Sequence, residues 1–178
     1  MKIALAQLNY HIGNFESNTQ KIIEHIRLAR SKEAQIIVFA ELALTGYPPR
    51  DFLEFNAFLD RSEQAIESIA EASIGITVIV GAPIRNENPF GKPLFNAAVV
   101  IQDGKVHSIH HKWLLPNYDV FDECRYCEPG KETQIVELHG KRVAIAVCED
   151  LWNLTDQPMY GGCPMDYLSK ENPDLLIN

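Results

Sequence analysis

The chain has 178 residues, of which 46% are hydrophobic and 22% are charged, and this composition predicts one globular domain with a sizeable core. Its formal net charge of -8 disfavours nucleic acid as a partner, because the phosphates would be repelled. The apolar run after Met1 is too short for a signal peptide or a membrane span. Without a secretion signal, the four cysteines predict reduced thiols and a cytoplasmic location, with no membrane partner.

The first part of the chain predicts a strand, a helix and a second strand. Lys2 to Leu8 form an apolar run typical of a buried strand, and Asn14 to Ser17 offer capping side chains for a helix with apolar residues at helical spacing. A second apolar run, Gln35 to Ala40, ends at Glu41. This order of elements favours a right-handed crossover and a parallel pair of strands.

The middle of the chain predicts a second helix and three more strands. Gly46 to Pro49 predict a break in regular secondary structure, and apolar residues at helical spacing follow. Asp103-Gly104 suits the positive φ angles of a type I′ hairpin turn, so the predicted sheet is mixed. The predicted helix spans Phe52 to Ala72. The predicted strands are Ile76 to Val80, which Gly81-Ala82-Pro83 closes, Leu94 to Ile101, and Lys105 to His110.

The last part predicts a long irregular segment followed by a hairpin. The segment from Trp113 to Lys131 has the length of loops that are usually functional or disordered. The hairpin turns at His139-Gly140-Lys141, and its second strand runs directly into Cys148. The predicted bounds are Gln134 to Leu138 and Arg142 to Val147 for the hairpin strands, Pro164 to Lys170 for a short helix, and Asp174 to Ile177 for a last strand.

Three reactive side chains lie at the ends of predicted strands or directly after them: Glu41, Lys112 and Cys148. Ligands gather beyond the carboxyl ends of strands in open α/β sheets, so these residues are expected to converge. A thiol needs a base to become a nucleophile, and a developing oxyanion needs a cation or backbone donors. Taken singly, such a cysteine is more often a small buried hydrophobe, and such a glutamate or lysine is usually a solvated strand end. The combination of the three favours a catalytic site.

A competing site consists of three histidines and two cysteines. The spacing of Cys124 and Cys127 is compatible with zinc or with a redox pair. His110 and His111 would point to opposite faces of a strand, so we expect no metal. No helix start follows the cysteines, so we expect no redox pair either. No glycine-rich phosphate loop occurs, so no nucleotide site is predicted. The competing ligands are His107, His110, His111, Cys124 and Cys127.

Charged residues of the loops are expected to be solvated or to cap local structure. They are Arg50, Asp51, Asp119, Asp122, Glu123 and Arg125.

Several segments together resemble one known family. They are KIALAQLN, VFAELALTGYPPRD, VIVGAP, LFNAAVV, LPNYDVFDECRYCEPG and AVCEDLW. The chain resembles the N-terminal glutaminase domain of glutamine-dependent NAD+ synthetases, a branch of the nitrilase or carbon-nitrogen hydrolase superfamily. LTGYPPRD, LPNYDVFDE and CEDLW point to this branch in particular, whereas the Glu-Lys-Cys order alone would suit any nitrilase relative.

The resemblance implies an α/β fold, the nitrilase-type α-β-β-α sandwich with a mixed sheet, truncated at its C-terminal side. It also implies a cysteine-nucleophile amidase in which Glu41 is the general base, Lys112 the cation that supports the transition state and Cys148 the nucleophile. Tyr118 and Glu149 correspond to substrate-binding residues of the glutamine pocket, and the backbone N–H of Glu149 would face the oxyanion.

By the same resemblance, residues 1–178 form an incomplete carbon-nitrogen hydrolase domain, and the ATP-dependent synthetase domain that would follow is absent. The glutaminase reaction would need no cofactor, whereas ATP and Mg²⁺ would serve the synthetase domain in amidating nicotinic acid adenine dinucleotide. The expected partners are L-glutamine, the synthetase domain and further copies in a homo-oligomer. Two alternatives remain: a stand-alone amidase of another nitrilase branch, and an inactive fragment acting only as an assembly module.

Overall fold

A computed structural model describes residues 1–133, 135–154 and 158–178 and arranges them in four layers. Two helices cover one face of a five-stranded sheet, and a three-stranded sheet packs against its other face. A short helix covers the far side of the smaller sheet. The predicted α-β-β-α sandwich is therefore confirmed. The helices are α1 Phe15–Ser31, α2 Asn56–Ala72 and α3 Pro164–Leu168.

The larger sheet is mixed, as predicted. Its first three strands are parallel, and its fourth is antiparallel to both neighbours, so the fifth runs in the same direction as the first three. In spatial order its strands are β1 Ile3–Ala6, β2 Ile36–Phe39, β3 Thr77–Arg85, β4 Leu94–Gln102 and β5 Lys105–His111.

The smaller sheet combines an antiparallel hairpin with one parallel strand. Its strands are β6 Ile135–Leu138, β7 Lys141–Ile145 and β8 Leu175–Ile177. The predicted hairpin is confirmed, although Gln134, its predicted first residue, lies outside the described residues. β7 ends at Ile145, two residues earlier than predicted. α3 ends at Leu168, and a 3-10 turn, Ser169–Glu171, follows it directly.

The middle residues of the central strands are apolar because both faces of the strands are buried there. Along β3, Val80 points into the core beneath α1 and α2, whereas Ile79 packs between the two sheets. Along β7, Val143 packs between the sheets and Ala144 packs beneath α3. This alternation follows the two-residue period of a strand, and it explains the continuous apolar runs in the sequence.

The start of α1 is where the sequence predicts it. The side chain of Asn14 accepts a hydrogen bond from the Ser17 backbone N–H at 3.1 Å. Ile22, Ile26 and Ala29 are buried on the inner face of the helix. The predicted type I′ turn is also consistent with the structure, because Asp103 and Gly104 have φ angles of 50° and 80°.

Two predicted elements at the edge of the fold are wrong in extent. β1 covers only Ile3–Ala6, and Leu5 on this edge strand is 79% exposed. The second helix begins at Asn56 and not at Phe52, because Phe55 is extended. Phe52 lies in a separate 3-10 turn and stacks on Phe58 at 5.5 Å between ring centroids, which produces helical spacing without a continuous helix.

The predicted end of β3 at Val80 is also wrong. The strand continues through Gly81, Ala82 and Pro83 because it keeps pairing with β4 after β2 has ended. A Cβ on Gly81 would lie 2.3 Å from the Leu42 backbone nitrogen, so only glycine allows the turn after β2 to cross β3 at this point. That turn carries Glu41.

No helix in the described ranges is long and apolar enough to cross a membrane.

The predicted irregular segment from Trp113 to Lys131 is confirmed, with one short 3-10 turn at Glu123–Arg125.

Candidate active site

Lys112 is fully buried and lies between two carboxylates. It directly follows β5, and its Nζ is 2.7 Å from Glu41 Oε1 and 2.9 Å from Glu123 Oε2. Burial by itself lowers the pKa of Lys112, but the charges and hydrogen bonds of the two carboxylates outweigh it and raise the pKa above its usual range. Lys112 is therefore a fixed cation at every pH at which the protein would work.

Asn96 and Tyr47 complete the hydrogen bonds of these carboxylates. Asn96 Nδ2 donates to Glu41 Oε1 at 2.7 Å and to Glu123 Oε2 at 3.1 Å. The Tyr47 hydroxyl donates to Glu123 Oε1 at 3.0 Å. Asn96 lies near the start of β4, which is antiparallel to its neighbours, so it reaches the same edge of the sheet as the residues that follow β2 and β5.

The expectation that Glu123 is solvated is wrong. Its side chain is only 10% exposed, because the irregular segment after Lys112 folds back over that lysine. Burial raises the pKa of Glu123, and the positive charge of Lys112 opposes that rise. Glu123 lies within LPNYDVFDE, one of the segments that carry the family resemblance, and this position was the available indication of a role at the site. A charged loop residue, however, ordinarily remains in water.

Cys148 lies beside Glu41 at the point where the chain leaves the smaller sheet. Its φ angle of 46° is in the left-handed region, and a 3-10 turn, Cys148–Leu151, begins with it. Left-handed geometry at a non-glycine residue stores strain and often marks a functional position. The half-buried thiol and Glu41 line a common cavity of about 80 Å³, together with Gly81.

The environment of Cys148 keeps its thiol protonated. Burial raises the pKa of Cys148 to about 11, the negative charge of Glu41 contributes to the rise, and the positive charge of Lys112 opposes it. A thiol in this state is a weak nucleophile at neutral pH and needs a base in contact with it. Glu41 occupies that position.

Asp150 fixes the turn of Cys148 against the segment that follows Lys112. Its Oδ2 accepts a hydrogen bond from the Val147 N–H at 3.0 Å, and its Oδ1 accepts from the N–H groups of Trp113 and Leu114 at 2.9 and 2.8 Å. Burial raises the pKa of Asp150 to about 6, and the three N–H donors oppose the rise. Sequence reasoning assigned no role to Asp150, although it lies in the quoted segment AVCEDLW.

Glu149 forms a second polar group with two tyrosines. Its side chain is buried, and the Tyr118 hydroxyl lies 3.1 Å from Oε1 and 3.0 Å from Oε2, so its single proton is shared between the two oxygens. The Tyr160 hydroxyl also donates to Oε1, at 3.0 Å. Tyr160 lies outside every segment that carries the resemblance, and nothing in the sequence pointed to it.

The structure thus places the five predicted site residues in two groups. Glu41 and Lys112 form an ion pair with Cys148 beside them, and Tyr118 contacts Glu149. Their chemical roles remain predictions.

The competing zinc arrangement is not assembled. Within residues 1–133, 135–154 and 158–178, no group of three or more His, Cys, Asp or Glu side chains is placed to hold a metal ion. Cys127 is buried whereas Cys124 is exposed. His110 bonds to the Ser108 hydroxyl, and His111 stacks on Phe95 at 3.9 Å between ring centroids.

The four-layer sandwich and the cysteine beside a buried lysine define a class of enzyme. The model of the carbon-nitrogen hydrolase family matches residues 2–155, and the chain belongs to this family.

Within the family, the chain is similar to glutamine-dependent NAD+ synthetases. The enzyme of Thermotoga maritima is 38% identical over 155 residues, which are 86% of this chain and 26% of the relative. The enzyme of Synechocystis sp. is 36% identical over 183 residues, which cover 99% of this chain and 33% of the relative. The chain therefore spans between about a quarter and a third of the length of these curated relatives.

Solved structures agree with this placement. The glutamine-dependent NAD+ synthetase of Acinetobacter baumannii, solved with ADP, superposes with a TM-score of 0.87 at 35% identity, covering 98% of this chain and 31% of that one. An amidase from Nesterenkonia sp., at 22% identity and a TM-score of 0.71, covers 84% of this chain and 56% of its own. The second likeness supports the fold alone.

Proposed function

We propose that the chain is a cysteine-nucleophile amidase that hydrolyses the side-chain amide of L-glutamine and supplies ammonia for NAD+ synthesis. The observation that carries the proposal is a half-buried thiol that lines one small cavity with a carboxylate, which a fully buried lysine holds in place. The choice of glutamine rests on the curated relatives, which are named glutamine-dependent NAD+ synthetases.

In the first half of the proposed reaction, Glu41 takes the proton of Cys148 as Sγ adds to the amide carbon of glutamine. The Lys112 ammonium and the Glu149 backbone N–H stabilise the tetrahedral oxyanion. Glu41 returns the proton to the amide nitrogen, the carbon–nitrogen bond breaks, and ammonia leaves. The product on the enzyme is a γ-glutamyl thioester at Cys148.

In the second half, Glu41 accepts a proton from a water molecule that attacks the thioester carbonyl. The same oxyanion donors serve this step. Collapse of the intermediate breaks the carbon–sulfur bond, and the proton returns to Sγ as glutamate leaves. Glu41 is suited to both transfers because Lys112 and Asn96 both bind the same oxygen, Oε1, and thereby orient the carboxylate.

Glu149 and Tyr118 are proposed to bind the amino-acid end of the substrate. The buried Glu149 side chain supplies a negative charge, which matches the α-ammonium group of glutamine. Tyr118 is 40% exposed and donates to Glu149, so it lies between that carboxylate and solvent.

The remaining expectations concern a longer protein and belong to the same proposal. An attached synthetase domain would use ATP and Mg²⁺ to amidate nicotinic acid adenine dinucleotide with the ammonia. We further propose that the enzyme acts in the cytoplasm as a homo-oligomer.

The test is ammonia release from glutamine by the purified chain and two cysteine variants. Cys148→Ala should lower the rate by roughly 10³-fold or more, because no other group replaces the nucleophile. Cys124→Ser is the matched control: its thiol is exposed and donates only to the Leu115 carbonyl, so its rate should stay unchanged. Full activity in Cys148→Ala, or a preference for amides other than glutamine, would contradict the proposal.

A further inference from the structure

We propose that Tyr160 is a specificity-determining positioning residue, which orients Glu149 to bind the α-ammonium group of an amino-acid amide. The inference rests on the proposed function and concerns a residue to which neither the sequence nor the resemblance assigned a role. It follows from how the charge of Glu149 is compensated, and from how Tyr160 is held.

Glu149 is a buried carboxylate that lacks a cationic partner in the described part of the chain. Its hydrogen-bond donors are two neutral phenols, Tyr118 and Tyr160, and no lysine or arginine among the described residues forms an ion pair with it. Nearby, the partly buried Glu41 and the buried Glu123 share Lys112, and the buried Asp150 accepts three backbone N–H groups. A buried charge without an opposite charge is costly, so Glu149 is suited to a cation that the substrate brings.

The two phenols constrain Glu149 from different parts of the chain. Tyr118 belongs to the long segment after Lys112 and contacts both carboxylate oxygens. Tyr160 follows the nucleophile and contacts Oε1 alone. Because Tyr160 bonds to Oε1 and not to Oε2, it restricts the rotation of the carboxylate, and Oε2 keeps a lone pair with which to accept from a ligand. Burial, and then the bond to Glu149, raise the pKa of Tyr160, so its hydroxyl remains a donor.

Asn153 holds the Tyr160 backbone in the position that this contact requires. The Asn153 side chain is mostly buried, and its Nδ2 donates to the carbonyls of Tyr160 and Gly162 at 3.1 and 2.8 Å. Its Oδ1 accepts from the Tyr160 N–H at 3.3 Å. Asn153 comes two residues after the turn of Cys148–Leu151, so one short stretch of chain carries the nucleophile, Glu149 and the anchor of Tyr160.

The inference is tested with Tyr160→Phe and two substrates that share the reacting amide. L-Glutamine has the α-ammonium group, whereas glutaramate, the monoamide of glutaric acid, lacks it. Tyr160→Phe should raise KM for glutamine about 10-fold with little change in kcat, because a hydrogen bond to a charged group is lost from the binding site and not from the reacting atoms. KM of glutaramate, or its inhibition constant against glutamine, should stay unchanged.

Two further variants make the test specific. Tyr167→Phe is the matched control, since Tyr167 is 53% exposed and packs on Trp113 away from Glu149. This variant should leave KM unchanged for both substrates. Asn153→Ala should reproduce the effect of Tyr160→Phe. The double variant should be no worse for glutamine than Tyr160→Phe alone, because Asn153 acts through Tyr160.

The outcomes separate this inference from the function on which it rests. Equal losses on both substrates, or no loss on glutamine, would overturn the role of Tyr160 while the amidase activity stands. If the unaltered chain releases no ammonia from glutamine, the proposed function fails and the inference fails with it.

Discussion

The two groups of polar residues at the site differ in how their charge is balanced. Around Lys112, two carboxylates share one buried cation, and Asn96 and Tyr47 donate further hydrogen bonds. Around Glu149, one buried carboxylate accepts side-chain hydrogen bonds from two tyrosine hydroxyls and, among the described residues, forms no ion pair. The first group holds a cation of its own between its carboxylates, whereas the Glu149 group has no cation among the described residues and leaves its negative charge for a ligand to neutralise.

The same comparison explains why Cys148 lies where it does. Its thiol faces the Lys112 group, and the next residue, Glu149, faces the tyrosines. Asp150 then ties this turn to the N–H groups that follow Lys112. Three consecutive residues, Cys148 to Asp150, therefore connect the two groups.

Removing the shared cation should have the largest effect on stability. Lys112→Met leaves Glu41 and Glu123 buried side by side without their counter-charge and should lower the free energy of unfolding by about 3–5 kcal/mol. Urea denaturation followed by circular dichroism measures this loss. Lys131→Met is the control: its side chain is 80% exposed and its pair with Glu128 spans 3.6 Å, so a change below about 0.5 kcal/mol is expected. Similar losses in both variants would mean that the network does not support the fold.

Loosening the link between the two groups should cost less. In Asp150→Asn one carboxylate oxygen becomes an NH₂ group that faces backbone N–H donors, so the free energy of unfolding should fall by about 1–3 kcal/mol. The same denaturation experiment measures the loss, with the exposed Asp166→Asn as its control. An unchanged midpoint for Asp150→Asn would show that these three hydrogen bonds are not needed.

The smallest predicted effect is a shift in the reactivity of Cys148. Glu123 is one of the negative charges that raise the pKa of Cys148 to about 11, so Glu123→Gln should lower that pKa, by about 1 unit or less. The rate of alkylation by iodoacetamide as a function of pH measures it, and the midpoint should move to lower pH. Glu137→Gln, on the exposed side of β6, should leave the midpoint in place. A move to higher pH in Glu123→Gln would contradict the electrostatic account.

Much of the fold followed from the sequence because it depends on local patterns. The capped start of α1, the Asp103-Gly104 turn and the apolar central strands each have a short-range cause. The exact end of β3 did not follow, because it depends on the close approach of two segments at Gly81. The exposure of Leu5 did not follow either, because an apolar run does not indicate which strand lies at the edge of the sheet.

The site was predictable only in part, for a related reason. Glu41 and Lys112 follow strands that run in the same direction, so their meeting at one edge of the sheet could be expected. The contacts of Glu123 and Tyr160 come from irregular segments with no hydrophobic period, and nothing in their spacing indicates which side chains fold inward.

The central claim, that Cys148 is the nucleophile, is tested most directly by labelling. A diazoketone analogue of glutamine would be incubated with the chain, and the modified residue would be identified by mass spectrometry of its peptides. We predict one adduct, on Cys148, which glutamine prevents and which Cys148→Ala abolishes. An adduct on Cys124, Cys127 or Cys163 that persists in Cys148→Ala would contradict the account.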